Sequence, residues 1–238
     1  MAPNSRIILT RHAQAEHNVD LDYTIPDAPL TPLGRKQASS LSTQINSTSP
    51  GLLSEVDLVV SSPLKRTLQT TYLGYKPTID RLGGLGKVIT LPQAQECNDF
   101  PCDTGSSAAT LSADPEFQEF NFENLTDDWT SKQGFWAADE KALTERARWV
   151  RQWLRKRPEK CIILVAHGDV LRRITANERG PNGHGWKNAE ARVFRFKDGE
   201  DEEECFLVEE GGDGVVAVAG GYAPGSSEIF VDEGVGKL

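Results

Sequence analysis

The segment Cys161–Gly168 (CIILVAHG) decides the class of fold. Its first six residues form a short, continuous apolar run, which is typical of a strand buried on both faces of a sheet. The next residues, from Asp169 to about Glu178, favour a helix. A fully buried strand followed at once by a helix indicates a mainly parallel sheet that is covered by helices.

A second strand of the same character is predicted near the start of the chain. Arg6–Thr10 (RIILT) is rich in β-branched residues and leads directly into Arg11 and His12. In open α/β sheets, ligands bind outside the carboxyl ends of the strands. Because His12 and His167 each follow a buried strand, we expect the two imidazoles to meet over one edge of the sheet.

The remaining pattern completes an α/β fold, a three-layer α/β/α sandwich with a mainly parallel sheet and an antiparallel edge. Thr31 and Pro32 have the residue types of a helix N-cap and of the first helical position. The further predicted elements are a helix to about Asn46, a strand at Asp57–Ser61, a helix from Pro63 to about Tyr72, a strand at Val88–Leu91, a helix at Ala137–Arg157, and an edge hairpin of Arg192–Phe196 with Cys205–Glu209.

Two segments depart from this alternation. Residues 92–134 are rich in polar residues, Pro and Phe, which predicts a long insertion with one short helix near Asp114–Phe120. Residues 210–238 are acidic and rich in Gly, which predicts a tail. We therefore expect a single domain over residues 1–209, interrupted by the insertion and followed by the tail.

Composition and charge exclude several classes of protein. Residues 198–238 carry 12 acidic residues and one basic residue, so that the net charge of −9 conceals a main body of net charge +2. The basic residues form no long stripe with interleaved aromatic residues, so a nucleic-acid partner is not expected. No apolar run is long enough for a membrane helix, and Met1–Arg6 lacks the apolar stretch of a secretory signal, which predicts a cytoplasmic location. The four cysteines match no zinc or disulfide pattern.

Four motifs occur in the order known for one family. Leu9-Thr10-Arg11-His12, with Asn18 after it, is similar to the Arg-His-Gly signature of the histidine phosphatase superfamily, also called phosphoglycerate mutase-like, although Ala13 replaces the Gly. The other three are Ser61–Thr70 (SSPLKRTLQT), Glu96 at the position of the family acid, and Val165–Gly168 (VAHG). The resemblance covers residues 6–196 and implies a phosphoglycerate mutase-like fold.

The resemblance implies catalytic roles that agree with the chemistry of phosphoryl transfer. The charge on the transferred group calls for positioned cations, here Arg11, Arg66 and a protonated or donating His167. His12 is the expected nucleophile, with one ring nitrogen held by a backbone carbonyl. Glu96 is the expected general acid, and the alternatives in the same loop are Asp99 and Asp103.

Other polar residues are expected around the phosphate. By resemblance, Asn18 contacts the phosphate, and Gln14 is a further candidate for such a contact. Asn188 lies in a turn before a strand and is a candidate for supporting the pocket. The amides that follow His167, beginning at Gly168, add donors at a helix N-terminus. His17 and His184 are expected at the surface or in supporting positions, since the four histidines lack metal-ligand spacing.

The predicted activity is hydrolysis of a small-molecule phosphate ester through a phosphohistidine, without metal or cofactor. Water exclusion separates a mutase from a phosphatase, and the mutases of this family have a basic stretch after the acid. Residues 97–134 contain eight acidic residues and only one basic residue, Lys132. This favours a substrate with one phosphate and a neutral or apolar body, against which seven aromatic residues are available: Phe100, Phe117, Phe120, Phe122, Trp129, Phe135 and Trp136. A phosphoglycerate mutase or sugar bisphosphatase, and a binding module without activity, remain alternatives.

Overall fold

A mixed sheet forms the centre of the molecule. The computed structural model describes residues 5–199, 202–210 and 215–216. Seven strands of these residues pair in the order β3-β2-β4-β1-β5-β6, and β7 also pairs with β5. Their bounds are β1 Arg6–Arg11, β2 Leu58–Ser61, β3 Ile89–Thr90, β4 Cys161–Ala166, β5 Glu190–Phe196, β6 Leu207–Glu209 and β7 Val215–Val216.

The sheet has a parallel part and an antiparallel edge, as the sequence predicts. Strands β3, β2, β4 and β1 are parallel, whereas β5 is antiparallel to β1, β6 and β7. The α-helices are α1 Pro32–Thr48, α2 Leu52–Glu55, α3 Lys65–Gly74, α4 Lys76–Arg81, α5 Ala108–Ala113, α6 Glu140–Arg155 and α7 Gly168–Ile174. Short 3-10 helices lie at Glu16–Asn18, Leu85–Lys87, Pro92–Ala94, Pro101–Asp103 and Gly134–Trp136.

Alternation along the strands divides the core into two halves. Ile8 of β1 packs in a cluster with α1 and α3, whereas its neighbours Ile7 and Leu9 pack in a second cluster with α6 and α7. Successive side chains of a strand point to opposite faces of a sheet. The two clusters are therefore the two interfaces of a three-layer sandwich, and the predicted fold class is confirmed.

Helix α1 shows how local sequence sets an element boundary. The Thr31 hydroxyl accepts a hydrogen bond from the Gly34 backbone N–H at 2.9 Å, and Pro32 occupies the first helical position. This cap satisfies a backbone donor that otherwise has no partner in the first turn. The predicted start of the helix is confirmed.

The insertion differs from its prediction. Its α-helix is α5 at Ala108–Ala113, and the segment predicted as helical, Asp114–Phe120, forms turns instead. Ser107 caps α5 through Thr110 N, and Asp114 ends the helix by accepting the Glu116 N–H in a local turn. The pair Asp114-Pro115 thus follows a helix, although it has the residue types that begin one.

The C-terminal part contributes more to the sheet than the sequence indicates. Val215–Val216 pairs with Glu190 and Ala191 of β5, so that these two residues of the segment predicted as a tail belong to the sheet. Residues 211–214 and 217–238 lie outside the described residues. The division at residue 209 stays a prediction. In the described part of the chain, no helix combines the length and hydrophobicity needed to cross a bilayer.

Candidate active site

The carboxyl ends of β1 and β4 bring two histidines together. Arg11 lies opposite Ala166 in the parallel register, and the His12 backbone N–H donates to Ala166 O at 2.9 Å. The ring centroids of His12 and His167 are 5.2 Å apart with an interplanar angle of 61°. The two residues are 1% and 0% exposed, so both imidazoles lie inside the molecule.

The His12 ring is oriented by its own loop. Its Nδ1 lies 2.7 Å from the Ala13 carbonyl oxygen, which can only accept, so Nδ1 carries the proton. Nε2 is then the nitrogen with the free electron pair. The His12 carbonyl in turn accepts hydrogen bonds from Asn188 Nδ2 at 3.4 Å and from Ala189 N at 3.1 Å. Asn188 is buried and supports the backbone of the loop that carries His12.

Two buried arginines lie beside the histidines. Arg66 donates to the Cys102 carbonyl at 2.5 Å and to Asp103 Oδ1 at 3.0 Å. Arg11 donates from Nη1 to the Trp186 carbonyl. A Cβ atom added at Gly168 would lie 3.4 Å from Arg11 Nε, so the absence of a side chain there lets the guanidinium lie against the start of α7.

The environment keeps both histidines neutral. Burial, and then the positive charge of Arg66, lower the pKa of His12 well below its usual range, with smaller effects from Arg11 and His17. Burial and Arg66 likewise lower the pKa of His167. The lowered pKa of His167 favours its neutral, donating form over the protonated form, and its role toward the phosphate stays a prediction. The Ser62 hydroxyl lies 2.8 Å from His167 Nε2, a contact that the Ser-Ser-Pro motif alone does not indicate.

Glu96 lies at the amino end of α7. Its Oε1 accepts the backbone N–H groups of Val170 at 3.1 Å and Cys97 at 2.9 Å. The residue is 4% exposed, and burial together with the charges of Asp169 and Asp103 raises its pKa to about 8. At neutral pH this carboxyl group is protonated, which is the state that a general acid requires.

The alternative acids have different environments. Asp99 is exposed. Asp103 is buried and forms an ion pair with Arg66 at 3.0 Å. Asp99 lies at the surface and Asp103 is bound to Arg66, so among the three carboxyl groups the buried Glu96, whose pKa is raised, fits the acid best.

Gln14 and Asn18 make contacts within the protein. Gln14 Oε1 accepts from the Thr31 hydroxyl at 2.8 Å, and a Cβ atom at Gly34 would lie 1.9 Å from Gln14 O, so this loop packs tightly on α1. Asn18 accepts the Ala15 N–H through Oδ1 at 3.0 Å. Both residues therefore shape the loop after β1, and the phosphate contacts expected for them stay predictions.

His17 lies deeper than the sequence suggests. It is 5% exposed, and its ring centroid is 6.0 Å from that of His12. The surface position considered for it is wrong, because His17 is the buried residue of the 3-10 helix Glu16–Asn18. His184 is partly exposed and forms a hydrogen bond with Glu190 at 2.8 Å.

Two basic residues, Lys132 of the insertion and Arg146 of α6, lie around the loop of the acid. Lys132 has a left-handed backbone (φ 54°), and its Nζ lies 3.5 Å from the Glu96 carbonyl. Burial and the charge of Arg146 lower the pKa of Lys132 to about 8. Arg146 donates to the carbonyls of Gln95 at 3.2 Å and Glu96 at 3.1 Å. No motif in the sequence indicated these two residues.

The aromatic residues of the insertion build core and not pocket. Phe117, Phe120 and Phe122 pack in the cluster with α1 and α3, while Trp129 and Trp136 pack with Leu64. The expectation that this set lines a substrate pocket is therefore wrong for these five side chains. Of the other two, Phe100 stacks on Tyr23 with the ring centroids 5.4 Å apart, and Phe135 is exposed.

The described residues contain no group of three or more His, Cys, Asp or Glu side chains arranged to hold a metal ion. The cluster instead combines buried guanidinium groups, neutral imidazoles and a protonated carboxyl group. Such a set can receive a phosphoryl group, attack it and protonate its leaving oxygen.

Comparisons with known proteins agree with this arrangement. The model of the histidine phosphatase superfamily (branch 1) matches residues 7–205, so the chain belongs to this superfamily. A probable phosphatase of Schizosaccharomyces pombe is 29% identical over 170 residues, covering 70% of this chain and 75% of its own length. Phosphoglycerate mutase-like protein 1 of Arabidopsis thaliana is 32% identical over 200 residues, covering 69% and 68%.

Solved structures confirm the fold. The α-ribazole phosphatase of Shigella flexneri superposes with a TM-score of 0.55 at 21% identity, covering 90% of this chain and 96% of that one. A phosphoserine phosphatase mutant of Entamoeba histolytica gives a TM-score of 0.54 at 19% identity, covering 90% and 98%. At this level of identity the likeness concerns the architecture, which is phosphoglycerate mutase-like.

Proposed function

We propose that this chain is a phosphomonoesterase that hydrolyses a small-molecule phosphate ester through a phosphohistidine on His12. One observation carries the proposal. His12 Nε2 is unprotonated beside the buried Arg11 and Arg66, while the nearby Glu96 is protonated at neutral pH. The nucleophile and the acid are thus both in their reactive states before the substrate arrives.

In the first step His12 Nε2 attacks phosphorus. The bond between Nε2 and phosphorus forms while the bond from phosphorus to the ester oxygen breaks. Glu96 gives its proton to the departing oxygen, which leaves as an alcohol, and His12 becomes a phosphohistidine. Arg11, Arg66 and the donating His167 stabilise the negative charge on the three other oxygens.

In the second step water attacks the phosphohistidine. Glu96, now a carboxylate, accepts a proton from the water as its oxygen bonds to phosphorus. The bond between Nε2 and phosphorus breaks, and inorganic phosphate leaves. His12 returns to the neutral state that its surroundings favour, and Glu96 is protonated again, so the site is ready for another turnover.

We propose that the reaction needs no metal, because two guanidinium groups and the amino end of α7 supply the positive field that metals supply elsewhere. The expected small-molecule substrate follows from the same cluster, which is built for one phosphoryl group. The cytoplasmic location and the absence of nucleic-acid and membrane partners stay predictions from the sequence.

One observation favours a second candidate, a mutase or bisphosphatase. Lys132 places a cation beside the loop of Glu96, where the second anionic group of a bisphosphorylated species could bind. The carboxylates of Asp103 and Asp169 on the same side oppose such a group, which is why we favour a phosphatase. A module that binds phosphate without activity is disfavoured, because the nucleophile, cations and acid are all assembled.

The test is a rapid-quench experiment with an alkyl phosphate. In the native chain, mass spectrometry at neutral pH should find an acid-labile phosphate on the peptide that contains His12. His12→Ala should lose this adduct and about 10⁴-fold or more in kcat, the scale found when a nucleophile is removed. His184→Gln keeps a hydrogen-bond donor toward Glu190 and should retain both the adduct on His12 and the native kcat.

Other outcomes would decide against the proposal. Full turnover by His12→Ala would exclude the phosphohistidine route. Loss of activity in EDTA that a divalent metal restores would exclude the metal-independent reaction. Transfer of the phosphate to a second hydroxyl of phosphoglycerate, faster than its release to water, would establish the mutase instead.

A further inference from the structure

A chain of three hydrogen-bonding groups ends at His17. The Ala15 backbone N–H donates to Asn18 Oδ1 at 3.0 Å, which places the amide nitrogen of Asn18 on the other side. That nitrogen, Nδ2, lies 2.9 Å from His17 Nε2. Because an amide nitrogen can only donate, Nε2 of His17 must be the acceptor. The backbone at Ala15 therefore fixes the orientation of the Asn18 amide, and the amide fixes the role of Nε2.

The proton of the His17 ring is consequently on Nδ1. Burial, and then the charges of Arg66 and Arg11, lower the pKa of His17 to about 2, so the ring is neutral and carries one proton. This Nδ1–H is buried, and it has no hydrogen-bond partner among the residues that the structure describes. A buried donor without an acceptor is costly, and native proteins rarely contain one without a reason.

The surroundings indicate what would accept this hydrogen bond. The His17 ring lies beside the His12 ring at 6.0 Å, with an interplanar angle of 52°. The two arginines whose charges act on His17 are the same two that flank His12. A donor at this place, next to two guanidinium groups and the nucleophile, suits an anionic oxygen that enters with the substrate.

We propose that His17 binds the substrate phosphate, donating from Nδ1 to one of its oxygens, and that Asn18 acts through His17 by holding this tautomer. The inference deepens the proposed function and rests on it. A neutral donor has an advantage here, because it adds a hydrogen bond without adding a further positive charge that would lower the electron density of the neighbouring His12. Asn18 is a positioning residue in this account.

Three substitutions of His17 separate its two nitrogens. Asn carries its amide group where Nδ1 of His lies, Gln reaches the place of Nε2, and Phe keeps the ring without a donor. We measure inhibition by vanadate and by inorganic phosphate, with an aryl phosphate as substrate. His17→Phe and His17→Gln should weaken inhibition by vanadate about 10- to 100-fold, the range for a hydrogen bond to a charged group. His17→Asn should stay within about threefold of the native chain, since it retains a donor at the Nδ1 place.

The ranking of the three variants by their inhibition constants for vanadate decides the inference. Equal inhibition constants for all three variants would overturn the inference, and so would stronger vanadate inhibition of His17→Gln than of His17→Asn. His184→Phe is the matched control, because it removes a partly exposed imidazole and should leave vanadate inhibition unchanged. Since inhibitor binding is measured against each variant's own rate, a fall in kcat alone does not count as support.

A second measurement uses the unmodified chain and so does not depend on how a variant folds. Nitrogen-15 spectra of the histidine side chains report which ring nitrogen carries the proton. His17 should show the Nδ1–H form between pH 6 and 8, and adding vanadate should shift its Nδ1 signal. An Nε2–H form, or an Nδ1 signal that vanadate leaves in place, would contradict the inference. If the His12 adduct is absent while the vanadate shift is present, the proposed reaction fails and His17 remains an anion ligand.

Discussion

The two sides of the candidate site shift the pKa values of their titratable groups in opposite directions. On the histidine side, the pKa values of His12, His17 and His167 are lowered. On the acid side, the pKa of Glu96 is raised to about 8, with Asp169 among the causes. Burial is the largest cause on both sides, and the charges of neighbouring groups come second.

This contrast shows how one environment prepares two opposite reagents. Burial penalises the charged form, which is the protonated form of an imidazole and the ionised form of a carboxyl group. On each side the neighbours have the charge that the group itself would acquire: Arg66 near the histidines, and Asp103 with Asp169 near Glu96. Every one of these reacting groups is consequently neutral at pH 7, so the nucleophile has its electron pair and the acid has its proton.

The largest effect is expected when the positive charge is removed from the histidine side. Arg66→Met combined with Asp103→Asn deletes the buried ion pair as a unit, and kcat/KM should fall about 10³-fold because a donor to the developing charge is lost. The pKa of His12 should rise in the same variant, as followed by nuclear magnetic resonance.

The single variant is the control for this experiment. Arg66→Met alone leaves Asp103 buried without its partner and should lower the free energy of unfolding by about 3–5 kcal/mol. Native kcat/KM in the double variant would show that Arg66 serves folding and not the phosphoryl group.

The next effect concerns the proton on the acid side. Glu96→Gln should slow alkyl phosphates by about 10²-fold, because their leaving oxygens require a proton, and aryl phosphates much less. The ratio of kcat for the two substrate classes is the measurement. An equal loss for both classes would move the acid role to Asp103 or Asp99, for which the matched variants are Asp103→Asn and Asp99→Asn.

The same substitution should stabilise the protein at neutral pH. The folded pKa of Glu96, about 8, lies above its unfolded value near 4.5, so between these pH values the unfolded chain releases a proton that the folded chain retains. Stability is therefore lost as pH rises through this window. Glu96→Gln removes the penalty and should raise the free energy of unfolding by about 1–3 kcal/mol at pH 7.

Urea denaturation at two pH values tests this expectation. The difference between Glu96→Gln and the native chain should be present at pH 7 and should vanish near pH 4.5, where the unfolded glutamate is half protonated or more. A gain of equal size at both pH values would mean that the substitution acts through packing and not through the proton.

The smallest effect should come from the carboxylate next to the acid. Asp169→Asn removes one of the negative charges that raise the pKa of Glu96, so the alkaline limb of kcat/KM for an alkyl phosphate should move to lower pH by up to about one unit. Movement to higher pH would show that Asp169 does not act on Glu96 through its charge. Glu140→Gln, an exposed substitution on α6, is the control.

The sequence predicts those parts of the site that strand ends position. His12, Arg11 and His167 follow buried strands, and the rule that ligands bind at the carboxyl ends of parallel strands is enough to bring them together. The burial of His17 is not predicted by this rule, because His17 lies in a 3-10 helix of a loop and not at the end of a strand. Lys132 escapes it too, because its place depends on how the insertion folds over α6.

In the fold, too, buried strands are predictable from the sequence, whereas the insertion is not. The apolar runs of β1 and β4 predict their strands closely, since a fully buried strand has few alternatives. Asp114-Pro115 predicts a helix start and instead follows the end of α5, because the cap at Ser107 begins that helix earlier. The aromatic residues of the insertion could be assigned to a pocket or to a core, and only tertiary packing distinguishes the two.

The place of β1 in the sheet has a consequence for synthesis on the ribosome. The strand is made first, yet its partners are β4 and β5, which follow after most of the chain. At about 5–20 residues per second, the strand that carries the nucleophile waits on the order of ten seconds before its neighbours exist. A nascent chain that stops before residue 161 therefore has an unpaired apolar strand, a target for chaperones and proteases, and no assembled site. Activity thus reports that nearly the whole domain has been translated.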